Sequence, residues 1–388
     1  MEWKEFQISE IATLINGRAY SQDELFEKGK YKIVRVGNLS GGNKWFFSDM
    51  ELDADKYCYP NDLLFSWACN FGPHIWKNDK TIYHYHIWKV KEDSSKIDKY
   101  FFYYFLKYRT PYWLGNVNGS VMVHITKGTM EKQSIRIPVN LSDQRKIAGI
   151  LSALDAKIEN NNKINANLEA QAEALFKSWF VDFTPFKDQP FVDSELGPIP
   201  QGWKVGKLGD IALQSTEKVL TRNDVKVLSP ITTGKLVLSE EYFTKQVFSK
   251  SIRNYKIVKQ GAFAYNPARV NIGSLGMNEF KFDGCVSPVY VVFECLKGYS
   301  FFFDLFRKTE FFKQAVISFA IGGVRQTLNY SDFALIDATI PPLNIVQSFN
   351  EIYLHLKKKI SINEEENQRL AALRDTLLPK LMSGEIKL

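Results

Sequence analysis

The strongest constraint on this chain is a heptad seam that it carries twice. Between residues 137 and 183, apolar side chains fall at Ile147, Leu151, Leu154, Ile158, Leu168, Leu175 and Trp179, on a frame of alternating four- and three-residue steps. Ser142 is placed to cap this segment, Asp143 lies in its first turn, and no proline interrupts it before Phe180. About 38 residues at ~1.5 Å each make a helix of roughly 57 Å. A helix of that length with one apolar stripe needs a partner along its whole seam.

The partner stands in the same chain, over residues 340–388. Both stretches open on Ile-Pro, at Ile137-Pro138 and Ile340-Pro341, with Gln144 and Gln347 at the same distance beyond. Phe349, Ile352, Leu356, Ile360, Leu370 and Leu377 repeat Ile147, Ile150, Leu154, Ile158, Leu168 and Leu175 at a constant offset of 202. The second seam then reads Tyr353, Leu356, Ile360, Asn363, Asn367, Leu370, Leu377 and Leu381. Two long helices in one heptad frame are expected to pair.

What lies outside the helices repeats as well. Trp3, Lys4, Ile11 and Ala12 recur as Trp203, Lys204, Ile211 and Ala212, and glycine-led segments at Gly119 and Gly322 precede the two Ile-Pro pairs by equal distances. The chain therefore reads as block 1–136, helix and linker 137–201, block 202–339, and helix and tail 340–388. Short β-type runs, such as residues 31–36, 84–90 and 288–293, alternate with aromatic stretches at 100–108 and 301–312 long enough for one helix each. Each block is expected to be α+β, a compact curled sheet with packed helices.

Composition narrows the function. The chain has 388 residues, a net charge of +7 and a pI near 8.9, which favours polyanionic partners. Cys58, Cys69, Cys285 and Cys295 form no C-x-x-C pair and read as reduced residues of a cytoplasmic protein. No run of about 18 apolar residues is present, so no membrane span is expected. Catalytic motifs are missing: there is no phosphate loop of the G-x-x-x-x-G-K-[ST] type. Asn266-Pro267-Ala268-Arg269 lacks the second proline and the aromatic of an amine-methylating motif, and Pro60-Asn61-Asp62 lacks the acid-x-lysine of a nuclease. His84 and His86 share one face if they lie on a strand, but no third ligand stands at metal-site spacing, so a solvated or ligand-reading strand is the simpler reading.

These features together resemble a known family, the specificity subunit of type I restriction-modification systems. The resemblance spans the chain. Its motifs are the Trp-Lys block openings, Leu175-Phe-Lys-Ser-Trp-Phe-Val-Asp-Phe183 at the end of the first helix, Leu196-Gly-Pro-Ile-Pro-Gln-Gly-Trp203 in the linker and Leu378-Pro-Lys-Leu-Met-Ser-Gly-Glu385 near the C-terminus. It implies two similar α/β target-recognition domains joined by two long antiparallel coiled-coil helices in a pseudo-twofold arrangement. It also implies a non-catalytic chain that reads a split, asymmetric site on double-stranded DNA. Methyltransferase subunits would dock on it, and restriction-translocase subunits would join through them. S-adenosylmethionine, ATP and magnesium would then belong to the partners, with no cofactor or metal on this chain.

Reading bases needs two-pronged side chains, Arg for guanine and Asn or Gln for adenine. Loop position selects Arg18, Asn38, Lys44 and Asn70 in the first block, and Asn266, Arg269, Asn271, Arg325 and Gln326 in the second. Phe176, Trp179, Phe180 and Phe183 cover more than one helix face, so they either dock a partner or pack on the linker and second block. In an antiparallel pair, the polar breaks Asn161 and Asn165 fall opposite Asn367 and Asn363, and Leu154 opposite Arg374 with its head in water. Two other readings fit parts of the chain: a methyltransferase or nuclease fused to its own recognition domains, which needs a catalytic motif, and a coiled-coil scaffold without a DNA role.

Overall fold

The computed structural model describes residues 1–115, 125–243, 245–319 and 327–388. They form two compact units, Met1–Asn162 with Asn363–Leu388, and Lys163–Ile362. Each unit takes one block of the repeat together with part of each long helix. Packing therefore divides both helices internally, close to their asparagines, where the chain order suggested boundaries at the helix ends.

The repeated motifs prove to be strand partners. Trp3–Gln7 pairs antiparallel with Ser134–Pro138, setting Lys4 opposite Ile137, and Lys204–Lys207 pairs with Asp337–Ile340, setting Lys204 opposite Ile340. A block thus begins and ends at one two-stranded ladder. Proline cannot donate to such a ladder, and the long helix starts just beyond it in each copy.

Inside the first unit, one sheet has the order Ala12–Asn16, Ile87–Glu92, Leu63–Ser66, Gly72–Ile75, all antiparallel. A second joins Phe46–Ser48, Tyr31–Val34, Thr81–Tyr83 and Tyr57–Cys58, with a parallel pairing of Ile33 to Ile82. The second unit repeats both. Ala212–Ser215, Val291–Cys295, Phe263–Tyr265 and Leu275–Met277 form one sheet; Leu236–Leu238, Lys226–Pro230, Gly284–Val286 and Lys256–Val258 form the other, again with one parallel step.

Local expectations change in several places: the run 31–36 is a strand only to Val34, and the run 288–293 only from Val291. The run 84–90 is a strand only from Ile87, because His84 and His86 belong to a turn closed by the Ile87 N–H on the His84 carbonyl (2.9 Å). The aromatic stretch of the first block is one helix, Lys99–Gly115, but its counterpart is two, Ser300–Phe306 and Glu310–Phe319. Thr309 makes the break: its hydroxyl donates to the Phe306 carbonyl (2.7 Å) and accepts from the Phe312 N–H (3.3 Å), ending one helix and capping the next.

The long helices run Leu141–Phe180 and Leu343–Ser383. The first is capped by Asn140 in place of Ser142, its Oδ1 accepting from the Ser142 N–H (2.8 Å). They pair antiparallel within each unit. In the first, Asp155 meets Arg374 (2.6 Å), Asn161 Nδ2 donates to Asn367 Oδ1 (3.0 Å), and Asn367 Nδ2 donates to Asn162 Oδ1 (2.8 Å). In the second, Asn165 Nδ2 reaches the Ile360 carbonyl (3.5 Å), and the rings of Phe176 and Phe349 lie 6.0 Å apart.

Ile147, Leu151, Tyr353 and Leu381 are buried, and Leu154, Ile158, Leu168, Leu175, Leu356, Ile360, Leu370 and Leu377 are half-buried. Asn161, Asn165 and Asn363 are buried and Asn367 half-buried, so these amides sit inside the seam. Arg374 departs from expectation: its head lies in an ion pair with Asp155, the neighbour of Leu154, where water was expected. Ile150 and Ile352 stand outside the seam, exposed.

The cores sit where the aromatic helices meet the long ones. Phe101, Phe102, Phe105 and Leu106 pack with Ile147, Leu151, Leu378 and Leu381; Phe302, Phe303 and Phe306 pack with Phe176, Phe180, Phe349 and Tyr353. Each such phenylalanine contributes about 1.5–3 kcal/mol by leaving water. Each block is thereby fastened to the long helices.

Candidate nucleic-acid interface

The antiparallel sheet of the first unit turns three connections toward one end, since Asn16 pairs with Trp88, Ser66 with Ile87, and Ser66 with Gly72. A fourth comes from the other sheet after Val34, which pairs with Tyr83. Backbone bonds knit the four together: Arg18 N–H to the Tyr83 carbonyl (3.1 Å), Tyr85 N–H to the Arg18 carbonyl (3.0 Å), His84 N–H to the Val34 carbonyl (3.0 Å) and Trp67 N–H to the His86 carbonyl (3.1 Å). Gly17 makes the approach feasible, because a Cβ there would lie 2.4 Å from two carbonyl oxygens of the opposing turn.

Of the side chains expected to read bases in this unit, two are committed to the protein. Arg18 holds Glu24 with both prongs (2.8 and 2.6 Å), and this hydrogen bonding draws the Glu24 carboxyl down to about 2. Asn38 builds its own turn, accepting from the Arg35 N–H (3.0 Å) and donating to the carbonyls of Gly42 (3.1 Å) and Lys44 (2.9 Å). Both side chains thus brace the protein's own turns in this structure. Asn70 donates to Ser40 Oγ (2.5 Å), linking two connections, while Lys44 is exposed with its ammonium 5.2 Å from the Phe46 ring.

Other groups at this end are neither amides nor loop cations that sequence position singles out. Arg35 is exposed, and its guanidinium makes no hydrogen bond among the described residues. Trp67 donates to the Tyr85 carbonyl (2.8 Å), and its ring lies 5.1 Å from His86 and 5.9 Å from Trp88. Burial, then His86 and Arg35, lower His84 to about 4; burial and Arg35 lower His86 too. Both are neutral near pH 7, offering a donor and an acceptor each. Among the described residues no three metal-ligating side chains gather, around these histidines or elsewhere.

The second unit presents the same four connections, at residues 216–218, 231–235, 266–274 and 287–290. Ser274 Oγ donates to the Pro230 carbonyl (2.8 Å), and Arg307 reaches the carbonyls of Leu275 and Gly234 (both 3.0 Å) while paired with Asp304. Asn266 Oδ1 accepts from the Ala268 N–H (3.1 Å), a turn-forming role. Arg269 and Asn271 are exposed, and neither side chain makes a hydrogen bond among the described residues. Arg325 and Gln326 lie outside the described residues. Glu217 is the only acidic residue of these four connections, and Lys259 pairs with it (3.4 Å), leaving Lys218, Lys235 and Arg269 to set the charge.

The aromatic cluster ending the first long helix belongs to the second unit's interior. Phe176 and Phe180 are buried, with Phe180 4.9 Å from Phe349 and 5.9 Å from Trp203; Trp179 and Phe183 are half-buried against Phe186 and Trp203. Of the two alternatives offered for these aromatics, packing on the linker and second block is the contact the structure contains. Beside them is an apolar cavity of about 460 Å³ lined by Phe306, Phe311 and Val181.

No helix among the described residues is long and apolar enough to cross a membrane. Residues 1–170 match the model of the type I restriction modification DNA specificity domain. The chain is 29% identical over 308 residues to the type I restriction enzyme MjaIX specificity subunit of Methanocaldococcus jannaschii, covering 75% of this chain and 69% of that one. It is 21% identical to the EcoBI specificity subunit of Escherichia coli, across 99% of this chain and 86% of that one. In fold it is similar to the type I restriction-modification S subunit from M. genitalium, with a TM-score of 0.57 and 16% identity over 98% of this chain and 96% of that one. Residues 1–170 thus match a type I restriction modification DNA specificity domain, and the chain as a whole is similar in sequence and fold to type I restriction-modification specificity subunits.

Proposed function

We propose that this chain is a type I restriction-modification specificity subunit that reads a bipartite double-stranded DNA site with two unlike halves, one per unit, and brings methyltransferase subunits to it. The reading is carried by one observation: both units present the same four connections at the same sheet ends, with different side chains on them. The first offers Arg35, Lys44, Trp67, Tyr85 and His86; the second offers Lys218, Lys235, Arg269, Asn271 and Val289. One scaffold with two chemistries suits two half-sites of different sequence. The chain itself neither methylates nor cleaves, and the restriction-translocase subunits join through the methyltransferase.

The test exchanges residues 202–339 for the corresponding block of a relative and maps modified bases in host DNA. One half of the modified motif is expected to change while the other stays. Simultaneous change of both halves overturns the reading, as does methyl transfer by the purified chain alone.

A further inference from the structure

The connection 287–290 of the second unit is a tight turn closed by the Tyr290 N–H on the Ser287 carbonyl (3.0 Å). Pro288 at its second position fixes the backbone, and Lys256 anchors its exit by donating to the Tyr290 carbonyl (2.7 Å). The next residue, Val291, pairs with Tyr265, the residue before the 266–274 connection. The third position of the turn is therefore rigid and held at the proposed reading end.

That position carries Val289, 71% exposed, the highest fraction among the large apolar side chains of the described residues. Turn tips in water favour glycine, asparagine, aspartate or serine, and a β-branched apolar side chain there gains nothing from solvent. The neighbouring connection exposes Ile272 as well, together with Arg269 and Asn271. An apolar tip among cationic and amide side chains does not suit a phosphate backbone or a polar base edge. One group in the major groove suits it, the 5-methyl of thymine.

In the first unit the equivalent turn is closed by Ile87 N–H on the His84 carbonyl (2.9 Å), and His86 holds its third position. One site on the scaffold thus carries an aliphatic group in one copy and an imidazole in the other.

We infer that Val289 contacts a thymine 5-methyl group in the major groove of the half-site read by the second unit. This rests on the reading proposed above. The experiment uses the full chain in complex with its methyltransferase subunits and duplexes carrying the motif found by modified-base sequencing, with each thymine replaced in turn by uracil. In the half-site assigned to the second unit by block exchange, one replacement should weaken binding about fourfold, the worth of one buried methyl. Val289→Ala should lose a similar factor on the thymine duplex and become indifferent to that replacement. The inference is overturned if Val289→Ala keeps the full uracil penalty, if it binds as tightly as the unaltered chain, or if no thymine in that half responds. Absence of any preference for the motif would instead overturn the underlying reading, and the inference with it.

Discussion

Tyr104 donates its hydroxyl to Asp155 Oδ2 at 2.7 Å, tying the aromatic helix of the first unit to the first long helix, and Arg374 of the second long helix closes on the other carboxylate oxygen at 2.6 Å. The second unit holds the same three residue types with the sides exchanged. There Asp304 belongs to the aromatic helix, Tyr353 of the second long helix meets it at 3.3 Å, and Arg307 completes the set at 2.6 Å. The repeat did not copy this lock, since the residue 202 positions beyond Asp155 is Lys357. Asp155→Asn should cost about 2–3 kcal/mol, because Arg374 then loses its main partner and, among the described residues, keeps only Asp375. Thermal unfolding should show a midpoint lower by roughly 4–10 °C, with Tyr104→Phe lowering it by less.

Arg269 and Arg18 should respond differently to truncation. Arg269→Ala is expected to weaken binding to the specific duplex about 10- to 100-fold with the melting temperature unchanged, the cost of one two-pronged base contact. Arg18→Ala releases Glu24 and should chiefly loosen the first unit. Binding isotherms and melting curves on both variants separate the two outcomes.

Acid should destabilise the first unit through His84. Its folded pKa of about 4 lies below the ordinary 6.5, so the unfolded chain binds more protons between those values. The stability it confers is complete above about pH 6.5 and is lost as pH falls through 4. His84→Gln should flatten that part of a stability-against-pH curve, while Arg35→Ala should make the acid loss smaller and complete it at a higher pH, because removing one of the charges facing the ring raises the folded pKa toward its ordinary value.

The asparagine centre should trade stability for register. Asn161 is buried, donating to Asn367 and to Glu366 (2.7 Å), while its Oδ1 finds no partner among the described residues. Replacing Asn161 and Asn367 together by leucine is expected to raise the unfolding midpoint by a few degrees and to broaden the spacer length of the modified motif. A raised midpoint with an unchanged single spacer would show that register is set elsewhere.

The long helices, their seam and the doubling of the blocks were legible because periodicity and repetition survive in linear sequence; Leu154 and Leu356 need no structure to be recognised as equivalents. The motifs at Lys4 and Ile137 were visible too, but not that they face each other across a ladder. The base-reading candidates were less legible. Whether Arg18 is a reader or a brace depends on Glu24, six residues away on a turn whose geometry the sequence does not display. Likewise Asn38 gives no sign that three backbone groups already occupy its amide. Trp67, Tyr85 and His86 look like strand residues until the turn at His84 is seen, and Val289 looks like the start of a buried run.

The ladder that closes each block also sets its mechanical character. In the second unit, Lys204 and Ile340 sit together at one end of an antiparallel pair, and the chain enters and leaves the block there. Tension applied between the linker and the second long helix would therefore load the backbone hydrogen bonds one at a time, peeling the pair like a zipper where a shear geometry would load them all at once. Under pulling, this fastening should yield at low force and hand the strain to the interior sheets last.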